Sequence, residues 1–252
     1  MSIFSCMKLP SIFTYFLLVT LPLGAQEQVK HTLRVLPLGD PPPFVQEMRD
    51  GARYEVPPPA GVIPPRMVMI PAPAKPGAAQ QASQPPLRLR LGRPSVAVTL
   101  TDPQQQQVAL NLEQGANWLN VPLDPCGSSL ALVWRWGKSW DKARTLVLPD
   151  DSAARAEGNV QFANLTASSM GVVFGTEKLR LEPGMTFSRK LTADSPATSV
   201  EILYPSPSGG FKLCLSTRLD ATPGVFSRLL IYAADGHNPR LPVKVLRLDE
   251  PS

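Results

Sequence analysis

The sequence predicts an all-β protein: one or two β-sandwich modules of the immunoglobulin-like kind, preceded by a proline-rich, largely extended N-terminal arm. Apolar residues make up 43% of the 252 positions, which is enough to bury a core. Proline accounts for 29 residues, about twice its usual ~5% share, and it disfavours helix interiors. From Leu87 onward, apolar and polar residues alternate between short turn segments. These observations exclude a mostly helical protein.

The first 25 residues have the three parts of a secretory signal. Lys8 supplies the positive charge, the run Ile12–Leu23 is apolar, and a Gly-Ala pair precedes the expected mature start at Gln26. The 12-residue run is shorter than the ~20 residues of a membrane-spanning helix. We therefore expect export to the periplasm or the extracellular space, with no integral membrane segment after cleavage.

The next segment, residues 26–70, is predicted to be an arm with short strands. Residues 26–93 hold 14 prolines in 68 positions and a net charge of +4. His31–Leu38 alternates as a short strand would, whereas Phe44–Tyr54 suggests either two turns of helix or a loop. Met67–Ile70 is apolar and poor in charge, so it could add a strand to the domain or to a partner.

A linker is expected at residues 71–86, which consist of Pro, Ala, Gln, Gly and Ser with one charged residue. This composition cannot bury a core and favours an extended spacer. The alternative is a polyproline ligand for an aromatic groove on another protein.

The rest of the chain is predicted to form a first β module at residues 87–149 and a second at 150–252, or one continuous sandwich. Turn residues separate runs of alternating hydrophobicity. The predicted strands of the second module are Asn159–Leu165, Met170–Phe174, Lys178–Leu181, Met185–Leu191, Ser199–Tyr204, Phe211–Thr217, Phe226–Ala233 and Val243–Leu248.

Two cysteines remain after removal of the signal, Cys126 and Cys214. In an oxidising compartment such a pair usually forms a disulfide. The bond would close a loop of 87 intervening residues and stabilise the fold by about 4–5 kcal/mol in the chain-entropy description.

Three tryptophans, Trp134, Trp136 and Trp140, form the most distinctive cluster. Trp134 and Trp136 share one face of a predicted strand. Exposed tryptophans in a row are typical of a stacking platform for sugar rings, whereas buried ones are typical of sandwich cores. The core role is the favoured interpretation, and if the three tryptophans are exposed, the cluster is the candidate ligand-binding site.

No catalytic or metal-binding constellation is visible in the sequence, and no cofactor is expected. There is no G-x-S-x-G, Walker loop, H-E-x-x-H or calcium-loop motif. Residues 94–252 carry 15 basic and 15 acidic side chains, which argues against nucleic acid, because phosphate binding needs a basic field.

The sequence thus predicts an exported, non-catalytic binding or scaffold protein, with a protein or an envelope polysaccharide as its partner. One alternative is a carbohydrate-binding sandwich that uses the tryptophans. A second alternative is a secreted hydrolase whose site is assembled from scattered carboxylates.

Overall fold

The structure, a computed structural model, describes residues 31–71, 85–100, 106–124, 127–191, 197–236 and 238–252. This part of the chain contains eighteen β-strands and no α-helix, which confirms the all-β prediction. It holds no helix that is long and apolar enough to cross a membrane. The predicted signal and almost all of the predicted linker lie outside the described residues.

Ten strands lie before residue 150. They are β1 (Thr32–Leu38), β2 (Gln46–Arg49), β3 (Ala52–Glu55), β4 (Met67–Val68), β5 (Leu87–Arg88), β6 (Val98–Thr99), β7 (Gln107–Asn111), β8 (Asn117–Pro122), β9 (Ser129–Trp136) and β10 (Ser139–Pro149).

Eight strands follow. They are β11 (Asn159–Asn164), β12 (Met170–Phe174), β13 (Glu177–Leu181), β14 (Thr186–Lys190), β15 (Thr198–Pro205), β16 (Phe211–Leu219), β17 (Val225–Ala233) and β18 (Val243–Pro251).

Sheet 1 has the strand order β10-β9-β1-β6. Its strand β1 runs parallel to β9, with Leu36 opposite Leu132, and antiparallel to β6. The N-terminal segment therefore sits inside the sheet, and the boundary predicted at residue 87 does not coincide with a boundary in the packing. This corrects the expectation of an arm separate from the first module, because β1 supplies fully buried Leu33 and Val35 to that module's core.

The layer facing sheet 1 consists of two ribbons, β4–β5 and β7–β8. Met69 and Asn111 join them through backbone hydrogen bonds of 2.7 and 2.9 Å. Met67–Ile70 thus does add a strand to the domain, one of the two options that the sequence left open. The core between these layers includes Val68, Val108 and Val121, all fully buried.

The second module is a sandwich of sheet 2, with order β14-β11-β17-β18, and sheet 3, with order β13-β12-β15-β16. Phe162 lies at the centre of its core, stacked on Phe187 at a centroid distance of 4.7 Å and edge-on to Phe174 at 6.1 Å. Both sheets draw all their strands from residues 159–251.

A third core joins the two modules, because sheet 1 packs on sheet 2. Its fully buried or nearly buried side chains are Leu36, Leu38, Leu130, Leu132, Leu148, Ala163, Leu165 and Leu230. Successive side chains of a strand point to opposite faces, so the central strands of both sheets bury both of their faces. Each fully buried aliphatic side chain contributes roughly 1.5–3 kcal/mol, and a core of this size holds the modules as one body.

Candidate functional site

A ring of four charged side chains closes one end of the core between the modules. Arg34 donates hydrogen bonds to Asp150 at 2.7 and 2.8 Å and to Glu250 at 2.5 Å. Arg228, whose side chain is fully buried, donates to the same two carboxylates at 2.9 and 2.5 Å. Each carboxylate therefore binds both arginines.

The electrostatics of this ring favour the ionised form of Asp150. Burial raises the pKa of its carboxyl, but the hydrogen bond from Arg34 and the charges of Arg34, Arg228 and Arg155 outweigh burial and hold that pKa below its usual range. Both carboxylates are thus fully engaged by arginines. This arrangement suits a structural ion network and leaves neither group free for acid or base catalysis.

A second polar cluster closes the opposite end of the same core. Asp40 accepts hydrogen bonds from Lys244 Nζ at 2.6 Å and from the Gly236 amide at 2.7 Å. Asp235 accepts one from the Asp40 amide at 2.6 Å and forms an ion pair with Arg135. Burial, with the charges of Asp40 and Asp235, raises the pKa of nearby Tyr232 to about 12.

A cavity with a volume of about 550 Å³ lies beside this second cluster. Its walls are the segments Pro41–Pro43 and Pro57–Pro59, and its polar rim includes Arg135, Lys138 and Asp235. Proline lacks a backbone N–H, so these walls present apolar rings and carbonyl acceptors. The cavity is suited to an apolar or extended peptide segment.

Above this proline-walled cavity stands an exposed hairpin formed by β2 and β3, in which all eight strand residues are exposed. Its Asp50-Gly51 turn has positive φ angles of 51° and 78°, as a two-residue type I′ turn requires. An Asp-Gly pair is itself a sequence signal for such a turn. The prediction of helix or loop over Phe44–Tyr54 missed the hairpin because β2 shows no apolar alternation and each strand is only four residues long.

The hairpin and its base expose several large apolar side chains. Phe44 is 69% exposed and Met48 62%, and the others are Val45 and Tyr54. The base is anchored, since the Val56 amide donates to Val45 O at 2.9 Å and the Trp140 amide donates to Gly61 O at 2.7 Å. We call these four exposed side chains, together with the proline-walled cavity, the hairpin surface.

The structure separates the three tryptophans. Trp136 is 48% exposed and Trp134 is half-buried against the core between the modules. Trp140 is only 2% exposed and belongs to the core of the first module. The reason is the alternation of side chains along β10. Ser139 pairs with Trp136, so the next residue, Trp140, points to the opposite face of sheet 1, where Val133 and the first core lie. Trp140 thus takes the core role that the sequence favoured, and only Trp134 and Trp136 remain as a candidate ligand-binding pair.

The remaining pair lines the second cavity, about 270 Å³ in volume, at the edge of the contact between the modules. Among the described residues that line it, Arg144 is the one with a charged side chain, and its guanidinium carbon lies 3.1 Å from the centroid of the Trp136 ring. The opposite wall comes from residues 165–167 and 183–184 of the second module.

The predicted disulfide joins one described cysteine to one that the structure does not describe. Cys214 is a half-buried free thiol whose Sγ donates to Val243 O at 3.3 Å, and burial raises its pKa. Its predicted partner, Cys126, lies outside the described residues, so the pairing stays a prediction.

Among the residues that the structure describes, no group of three or more His, Cys, Asp or Glu side chains could hold a metal ion.

The sequence analysis missed the ion network, although the sequence contains a signal for it. Arg34 and Arg228 each interrupt a strand that is otherwise strongly apolar, and a charge inside such a run requires a buried partner.

Comparison with known proteins shows no family for this chain. No protein-family model matches it, and no curated protein is significantly similar to it.

Proposed function

We propose that the mature chain is an exported, non-catalytic protein of the cell envelope or extracellular space that binds another protein through its hairpin surface. The observation that carries this proposal is that one projecting hairpin with its base exposes four large apolar side chains, Phe44, Val45, Met48 and Tyr54. The strand register places Met48 and Tyr54 on opposite faces of the hairpin, so both faces offer apolar contacts. Exposed large apolar side chains gathered on one element are typical of protein-interaction sites.

The anchoring of the hairpin supports the proposal. An isolated two-stranded hairpin is marginally stable in water. Here the hairpin starts and ends in proline segments and is bound at Gly61 to the backbone of Trp140. A partner therefore meets a pre-organised surface and loses less conformational entropy on binding.

The free edges of the hairpin offer a second mode of contact. Strands β2 and β3 pair only with each other among the described strands, so each leaves backbone donors and acceptors available for an added strand. An extended partner segment could pair there while its side chains enter the proline-walled cavity.

Site-specific photocrosslinking in the exporting cell tests the proposal. A photoreactive residue at Met48 is expected to give a discrete protein adduct, whereas the same residue at exposed Glu113, on the β7–β8 turn, is expected to give none. Adding Phe44→Ser and Tyr54→Ser should abolish the adduct while the protein stays folded. Absence of an adduct at Met48, or equal adducts at both positions, would contradict the proposal.

A further inference from the structure

The cavity at Trp136 has two rigid walls. On one side, Trp134 and Trp136 project from β9 and Arg144 projects from β10, with Arg144 directly opposite Trp134 in the strand register. On the other side, the loop after β11 is fixed by buried Asn164, whose Nδ2 donates to Leu181 O at 2.9 Å and to Ser168 O at 2.8 Å. The cavity therefore exists before any ligand binds.

Arg144 differs from the arginines of the two polar clusters in having no ion pair among the described residues. Arg34, Arg135, Arg155 and Arg228 are all ion-paired to carboxylates. Within the described part of the chain, no carboxylate forms an ion pair with Arg144, whose guanidinium is stacked on the Trp136 ring instead. Stacking holds the guanidinium of Arg144 against the indole ring in the lining of the cavity, and no carboxylate of the described residues occupies its N–H donors in an ion pair.

This geometry points to a binding site for a carboxylated sugar, that is, a uronic acid residue of an acidic polysaccharide. The planar fork of an arginine matches a carboxylate through two parallel hydrogen bonds. The indoles of Trp134 and Trp136, with Leu165, Ala167 and Pro183, supply apolar faces for the C–H groups of the sugar ring. A single cation fits one carboxylate better than a densely charged phosphate chain, which needs a basic field.

The cavity at Trp136 and the proline-walled cavity of the hairpin surface differ in the residues that line them. The sugar site is therefore independent of the proposed protein partner. The two cavities share no lining residue. Failure of either proposal leaves the other in place.

Binding of defined oligosaccharides to the mature protein tests the site. The probes are trigalacturonate and trimannuronate, each with its methyl ester as the uncharged counterpart, followed by calorimetry and by tryptophan fluorescence. At least one free acid is expected to bind, and its methyl ester at least 10-fold more weakly. Arg144→Gln, Arg144→Lys and Trp136→Ala are each expected to weaken binding at least 10-fold, since lysine keeps the charge but lacks the planar fork.

Arg189→Gln provides a matched control. Arg189 also lies over an aromatic ring, Phe187, at 5.2 Å, but it is ion-paired to Glu177, so its loss should leave sugar binding unchanged. The proposal is overturned if neither acid binds, if the esters bind equally well, or if Arg144→Gln has no effect. It is also overturned if a peptide with a free C-terminal carboxylate competes as strongly as the sugars. Should Trp136→Ala fail to fold, the Arg144 variants decide.

Discussion

Arg228 Nη2 donates a hydrogen bond to Asp150 Oδ1 across 2.9 Å, between side chains that are 0% and 1% exposed. The bond joins the two modules, because Arg228 lies in β17 of sheet 2 and Asp150 directly follows β10 of sheet 1. Replacing a buried ion pair by apolar groups is often neutral for stability, whereas breaking it is costly. We therefore interpret the bond as fixing how the modules are aligned, while the apolar core supplies the stability.

The first prediction concerns Asp150→Asn. The change removes the shared negative charge and leaves Arg34, Arg228 and Arg155 with one carboxylate fewer. Breaking a buried ion network in this way is expected to lower the free energy of unfolding by about 3–5 kcal/mol. Urea unfolding measures the loss. Glu47→Gln breaks the exposed pair with Arg49 and should cost less than ~1 kcal/mol; equal losses in both variants would refute a structural role for the ring.

The second prediction concerns acid stability. The pKa of Asp150 is lower in the folded protein than in the unfolded chain, where it is close to 3.8. Its contribution to stability is therefore complete above about pH 4 and is lost as the pH falls through the lower, folded value. We expect the free energy of unfolding to decrease steeply below about pH 4 in the wild type and less steeply in Asp150→Asn. Parallel curves for the two proteins between pH 5 and about pH 2.5 would be inconsistent with this.

The third prediction separates Trp140 from Trp136. Trp140 is 2% exposed and fills the first core, so Trp140→Ala is expected to cost about 3–5 kcal/mol of unfolding free energy. Trp136→Ala removes a half-exposed ring and its cation–π contact, which is worth roughly 0.5–1 kcal/mol. Urea unfolding of the two variants measures the difference. If the Trp136 variant were the less stable one, the assignment of Trp140 to the core would be wrong.

The fourth prediction concerns the base of the hairpin. Gly61 has φ +76°, and a Cβ there would lie 2.7 Å from Ser139 Oγ. Gly51 has φ +78° and open space around it. Both alanine variants pay about 1–2 kcal/mol of backbone strain, but only Gly61→Ala also disturbs the contact between the hairpin base and β10.

Hydrogen exchange and urea unfolding report the two effects. Gly51→Ala is expected to speed exchange within the hairpin alone. Gly61→Ala is expected to lower the global free energy of unfolding as well, and to expose the Trp140 amide that donates to Gly61 O. Identical behaviour of the two variants would show that the hairpin base is not docked on β10.

Much of the strand pattern could be predicted from alternation alone. Met170–Phe174 was predicted with the same bounds as β12, and Asn159–Leu165 extends β11 by a single residue. These strands bury one face, or both, in a core, and burial is what imposes the pattern. The hairpin at Gln46–Glu55 was missed because its strands are four residues long and exposed on both faces, so burial imposes no apolar alternation on β2 and the alternation of β3 is too short to predict a strand.

The candidate sites were harder to predict from the sequence than the strands were. The three tryptophans cannot be told apart by composition. The pairing of Ser139 with Trp136 decides that Trp140, one residue later, points into the first core, on the opposite face of sheet 1. The contact of Trp136 with Arg144 depends on the register of two strands. That register follows from pairings and not from composition.

The sequence by itself determined that the chain is all-β, where most of its strands lie, and which side chains of each strand are apolar. The tertiary structure alone decided what those apolar faces pack against. It placed β1 beside β9, and it brought Arg34 to Asp150 across 116 positions of the chain. The physical reason is that alternation is local, since it depends on each residue's own neighbours. Strand pairing and charge pairing join distant segments, and they are selected by the total burial that the whole fold achieves.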